Sequence, residues 1–143
     1  MTHPDAKFEK ISRSNTPLYG PRKALLCGFS GKDQDKLVTV LKMAGLADLD
    51  TVWATEAQAG ETVEDLMSLP GGTGHDMSSS LPRAVVAGGI TEGQLQALMT
   101  VAKKTGMKQT LWAVLTPTSE TWPLGRLIEE LAAERRAMKQ SNR

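Results

Sequence analysis

The sequence predicts an α/β fold: a four-stranded, mainly parallel sheet of order 2-1-3-4 built from two βαβα repeats. Three observations lead there. Short apolar runs closed by glycine alternate with stretches of helical periodicity. The succession strand, helix, strand, helix occurs twice, at a spacing of about sixty residues. The most apolar runs, Ala24–Cys27 and Ala84–Ala87, read as buried central strands, and the more polar ones as edges.

Residues 1–20 scatter Phe8, Ile11, Leu18 and Tyr19 among charge, Ser, Asn and Pro, so a mobile or draped arm is expected there. Residues 21–143 form the single domain, in two halves (21–70 and 82–138) joined by a Gly/Ser-rich linker. In the first half, Lys23–Cys27 is a strand stopped by Gly28. Ser30 with Asp33 resembles a capping box, Leu37, Val38, Leu41 and Ala44 mark one helical face, and Gly45 ends the helix. Thr51–Thr55 suits a strand at the sheet edge, and a short helix spans about Thr62 to Leu69.

The second half repeats this order. Pro82-Arg83-Ala84-Val85-Val86-Ala87-Gly88 echoes the run from Pro21 to Gly28. Thr91 with Gln94 is a capping box, Leu95, Leu98, Val101 and Ala102 share a face, and Gly106 stops the helix as Gly45 does. Trp112 stands in the strand Thr110–Leu115 where Trp53 stands in its counterpart, and Leu127 answers Leu66. The shared Pro-Arg start and the matched tryptophans favour an internal duplication. With helical crossovers of right-handed sense, all four strands are expected to point the same way and to share one carboxyl edge.

Composition narrows the function classes. A chain of 143 residues suits one domain, burying roughly 70 % of the surface its unfolded chain exposes. A net charge of +1 and 4 % aromatics speak against nucleic-acid binding. The only cysteine, Cys27, rules out an intramolecular disulfide. The sequence carries neither a signal-peptide core nor an apolar run long enough for a membrane span, so a cytoplasmic protein away from membranes is expected.

From Leu111 onward the residues become specific. Ala113-Val114-Leu115-Thr116-Pro117-Thr118, then Trp122, Leu127, Glu129-Glu130-Leu131, Glu134 and Met138 resemble the C-terminal signature of an uncharacterised bacterial family, domain of unknown function 3783. The chain departs from it where Ser119 replaces an Asn and Arg135 stands where a His is common. Gly88 to Gly106 fits the family's preceding strand and helix more loosely. The resemblance implies an α/β fold and a bacterial source, and it implies no activity.

No catalytic motif is complete. Gly28-Phe29-Ser30-Gly31-Lys32 lacks the leading glycine and the final hydroxyl of a phosphate loop, and Lys32 breaks the nucleophile elbow. Gly88-Gly89-Ile90-Thr91-Glu92-Gly93 lacks dinucleotide spacing. His3 and His75 fall in segments of loop composition without converging ligands, so no metal and no cofactor is expected. The most informative stretch is Thr116 to Pro123, where hydroxyls and Trp122 cluster as a strand hands over to a helix. The ligand-binding candidates are therefore Ser30, Thr91, Thr116, Thr118, Ser119 and Trp122.

Two function classes stay open. The favoured one is a non-catalytic small-molecule-binding or protein-interaction module, self-associating as a homodimer through the far end of the last helix near Met138. The alternative is a small enzyme acting on an anionic, phosphorylated or carboxylated metabolite at the carboxyl edge of the sheet; the missing nucleophile–base pair weighs against it.

Overall fold

The computed structural model describes residues 16–107 and 109–141. The first fifteen positions of the expected arm, His3 among them, lie outside the described residues. Residues 17–19 are described and lie as a strap over the second half. Pro17 bridges to Thr91, the Leu18 N–H donates to the Ile90 carbonyl at 2.7 Å, and the Tyr19 carbonyl accepts from Gly89 at 3.3 Å.

The elements follow the expected order: β1 (Lys23–Cys27), α1 (Lys32–Met43), β2 (Asp50–Ala54), α2 (Val63–Met67), β3 (Ala84–Gly88), α3 (Glu92–Lys104), β4 (Leu111–Val114) and α4 (Leu124–Ser141). Single 3-10 turns occupy Glu56–Gln58 and Ser119–Thr121. The sheet has the order β2-β1-β3-β4. Alternation along each strand divides the core into two layers. Leu26, Trp53 and Val85 face α1 and α3, packing with Leu37, Val40 and Leu98. Leu25, Val52 and Val86 face α2 and α4, packing with Val63, Leu66 and Leu127. The central strand β3 is buried along its whole length, as its unbroken Ala-Val-Val-Ala-Gly run predicts.

One expectation is corrected. The pairs β1–β2 and β3–β4 are parallel, but β1 and β3 are antiparallel, with Leu25 opposite Val86. The cause lies in the linker. Lys23 Nζ donates to the Leu69 carbonyl at 2.6 Å, which sets the end of the first half beside the amino end of β1. From there the chain climbs the outer edge of β2: the Gly72 N–H donates to Thr51 at 2.7 Å, and the Trp53 N–H donates to Thr73 at 2.8 Å. It then passes Ser30 and reaches Gly28, at the carboxyl end of β1, before β3 begins. A strand entered from that end must run back down the sheet. The shared carboxyl edge is thereby divided between two opposite ends of the sheet.

A constant shift of 61 residues (Lys23 to Ala84) relates the halves. It carries β1 onto β3, Leu37 onto Leu98, Gly45 onto Gly106 and Leu66 onto Leu127. Contacts at the centre obey it too. Leu25 faces its own counterpart Val86, and Thr62 bridges its counterpart Pro123. The Val63 N–H donates to the Trp122 carbonyl at 3.0 Å, and the Leu124 N–H donates to the Glu61 carbonyl at 2.9 Å. The halves are thus related by a local two-fold axis through Leu25 and Val86. The tryptophans do not correspond under this shift, which sets Trp53 against Val114 and Thr51 against Trp112.

Two glycines separate strain from crowding. Gly45 has φ +81° with open space where a Cβ would stand, whereas Gly28 has φ +80° and its Cβ would collide with the Leu81 carbonyl oxygen. Gly45→Ala is expected to cost about 1 kcal/mol, the strain of a left-handed alanine. Gly28→Ala adds a backbone clash and is expected to exceed roughly 2 kcal/mol. Urea unfolding of both variants checks this, and equal losses would remove the linker from its place against the end of β1.

Candidate functional site

The antiparallel centre parts the candidate residues. Ser30 lies at the carboxyl end of β1, while Thr91, Thr116, Thr118, Ser119 and Trp122 lie at the other end of the sheet, beyond β3 and β4. Within that second group the geometry joins Thr116 to Ser119. Their hydroxyls are 2.9 Å apart, the Ser119 N–H donates to Thr116 Oγ1 at 2.9 Å, and the Thr116 N–H donates to Ser119 Oγ at 3.2 Å. This closed ring of bonds ties the end of β4 to the 3-10 turn. Thr91 forms the expected capping box, accepting from the Gln94 N–H at 3.1 Å while Gln94 Oε1 accepts from the Thr91 N–H at 2.9 Å. Thr118 is exposed, and its carbonyl accepts from Thr121 Oγ1 at 2.9 Å. Trp122 is half-buried with the Arg126 guanidinium 4.2 Å above its ring, a cation–π stack.

Glu120 and Arg126 bring one charge of each sign to this rim. The Tyr19 hydroxyl donates to Glu120 Oε1 at 2.7 Å, and this bond, with the nearby carboxylates, raises the tyrosine above its ordinary pKa. The hydroxyls that could greet an anion already cap backbone, and Glu120 stands beside them.

At the opposite end the expected capping box is corrected. Gly31, not Ser30, stands at the N-cap of α1, without a side-chain cap. Ser30 Oγ instead accepts from the Ser79 N–H at 2.8 Å and donates to the Ser79 carbonyl at 3.1 Å, while Asp33 pairs with Arg83. Ser79 in the linker and Arg83 just after it take these two side chains in place of the first turn of the helix. Buried Gln34 completes the attachment: its amide donates to the carbonyls of Phe29 and Met77, and its oxygen accepts from the Asp76 N–H at 2.8 Å. His75 rests against the Trp53 ring with centroids 5.1 Å apart. Among the described residues no group of three or more His, Cys, Asp or Glu could hold a metal ion, and no helix is long and apolar enough to cross a membrane.

The feature that sequence reasoning missed is the outer edge of β4. The Leu111 and Leu115 N–H groups donate inward to the Arg83 and Ala87 carbonyls, so the intervening Trp112 and Val114 direct theirs outward. Their counterparts in the first half are Thr51 and Trp53, the two residues bonded by the linker. Among the described residues no segment bonds Trp112 or Val114 on that side. Two adjoining depressions of about 370 and 290 Å³ flank this edge, sharing Thr110, Trp112 and Arg135. Met99 and Met107 line one, and Leu131 and Met138 the other. Thr110 is 4 % exposed and its hydroxyl has no hydrogen-bond partner among the described residues, while its carbonyl accepts from Arg135. The signal was faint: an uncharged, proline-free run from Leu111 to Leu115 at an edge position, with methionines before and after it.

Two tests address these environments. Burial pushes the Cys27 thiol up from its ordinary 9.0 to about 12. The native protein is therefore expected to resist thiol reagents at pH 8. The unfolded chain loses this proton first, so stability present below pH 9 declines as pH rises toward about 12. Comparing the alkaline slope of stability with that of Cys27→Ala isolates the effect; identical slopes would contradict it. Gln34→Ala is expected to cost about 1–3 kcal/mol and to speed proteolysis within residues 74–79, since three bonds to Phe29, Met77 and Asp76 are lost. Unchanged cleavage would show that the linker is held by other contacts.

No curated protein and no solved structure matches the chain. The family model described as Domain of unknown function (DUF3783) matches residues 83–138, from the residue before β3 to the exposed Met138 in α4. Over residues 83–138, most of its second half, the chain is similar to the DUF3783 domain.

Proposed function

We propose that the protein is a non-catalytic interaction module whose recognition element is the outer edge of β4. One observation carries this reading: among the described residues nothing bonds the outward backbone groups of Trp112 and Val114, with an apolar groove beside Trp112, where the equivalent Thr51 and Trp53 are bonded by the linker. A sheet edge with these properties captures an extended segment of another chain, backbone bonds giving affinity and adjacent pockets giving selectivity. The state of the candidate hydroxyls supports the same conclusion, because Thr91, Thr116 and Ser119 are engaged in capping their own backbone. We further propose a duplicated single unit as the origin of the two halves, in a bacterial cytoplasmic protein. The 61-residue shift and a family match confined to one half support the duplication, and a single buried cysteine accords with a reducing compartment.

The competing reading is an enzyme or binder for an anionic metabolite at the Thr116–Ser119 rim. A thermal-shift screen against nucleotides, organic acids and sugar phosphates separates the two. The interaction module is expected to show no shift with any class. A rise of several degrees with one anionic class, abolished by Ser119→Ala, would replace it with the metabolite reading.

A further inference from the structure

Resting on the interaction-module reading, we infer that the occupant of the β4 edge is a second copy of the same chain, paired antiparallel about a two-fold axis at Ala113. An interface of this kind already exists inside the molecule. The two halves meet through antiparallel inner strands, centred on Leu25 and Val86. Pairing β4 with β4 continues that sheet in the same way, giving the strand order 2-1-3-4-4-3-1-2 across the dimer. The register is set by the groups that face outward. With Ala113 on the axis, Trp112 of one copy lies opposite Val114 of the other, so each pair exchanges two N–H···O=C bonds. Ala113, whose own bonds run inward to β3, occupies the closely spaced position between them.

The flanking surfaces suit a two-fold partner. A closed isologous contact must be self-complementary. The depression on the α4 side carries Glu134 and Arg135 together, so a copy turned about the axis can set acid against base. Met138 is 66 % exposed on the last turns of α4, and Leu131 and Met99 are only partly covered. These apolar side chains line the depressions beside Trp112, Met99 from the layer of α3 and Leu131 and Met138 from that of α4. The edge itself carries none of the devices that keep sheets apart: Leu111-Trp112-Ala113-Val114-Leu115 has no charge, no proline and no covering loop among the described residues. A heterologous use of this edge would leave the second copy's identical edge open, whereas the two-fold pairing closes both at once.

Sedimentation equilibrium of the full chain is expected to show a dimer. Val114→Pro removes an outward-facing donor and leaves the Leu111 and Leu115 bonds to β3 in place, so it should weaken association at least tenfold while circular dichroism stays unchanged. Should that variant fail to fold, Ala113→Cys tests the register directly. Opposed non-hydrogen-bonded residues hold their Cβ atoms about 4.5–5.5 Å apart, close to disulfide geometry. Mild oxidation should then yield a covalent dimer from Ala113→Cys and none from the exposed Lys104→Cys, the native Cys27 being buried. A dimer that survives Val114→Pro and gives no Ala113→Cys cross-link would overturn the proposal. So would a strict monomer up to about 1 mM. In that event hydrogen exchange decides what else falls. Fast exchange at the Trp112 and Val114 amides leaves the edge open to a different partner, whereas slow exchange closes it within the chain and removes the interaction-module reading as well.

Discussion

The path of residues 70–82 along the outer edge of β2 is the constraint on which the rest depends. In bonding to Thr51 and Trp53 it closes one edge of the sheet, and in reaching Gly28 it delivers the chain to the carboxyl end of β1. Both consequences come from one covalent connection. The first half loses an exposed edge; the second half is obliged to run antiparallel to it. Gln34, Ser30 and the Asp33–Arg83 pair hold this path in place, so a glycine-rich stretch of turn-forming composition behaves as a structural strap.

The two-fold relation makes the asymmetry meaningful. Strands, first helices and their glycine stops coincide under the 61-residue shift, but the two halves diverge at their last helices. After Leu66 the chain soon leaves its helix at Met67, turns at Pro70 and covers β2. After Leu127 it continues as helix to Ser141, passing beside the edge of β4 without bonding to Trp112 or Val114. Two similarly built halves therefore meet in one molecule, one with its outer edge covered by the linker and the other with no covering segment among the described residues. At the covered edge the contact is made by a short extended segment that donates and accepts at two alternate residues, Thr51 and Trp53.

Much of this was legible in the chain. Ala24–Cys27 and Ala84–Ala87 announce central strands because a strand covered on both faces must be apolar at every position. Thr91 and Gln94 form the capping box their spacing implies, and Gly45 and Gly106 end helices because the left-handed φ there suits glycine. Ser30 and Asp33 carry the same local signal and form no cap, since Ser79 and Arg83, remote in sequence, compete successfully for them. The candidate rim suffered the same way. Thr116, Ser119 and Trp122 gather as expected, but Ser30 is carried to the far end of the sheet by a reversal that no local pattern encodes.

By itself the sequence determined the elements, their order in the sheet and the family that residues 83–138 resemble, because periodicity, capping and glycine placement are short-range properties. Only the tertiary structure decided the relative direction of β1 and β3. Leu25 and Val86 present the same alternation of faces whichever way the strands run, and backbone amides can form a ladder in either sense. The choice was made by where a linker lies, and with it which edge of the sheet the linker covers.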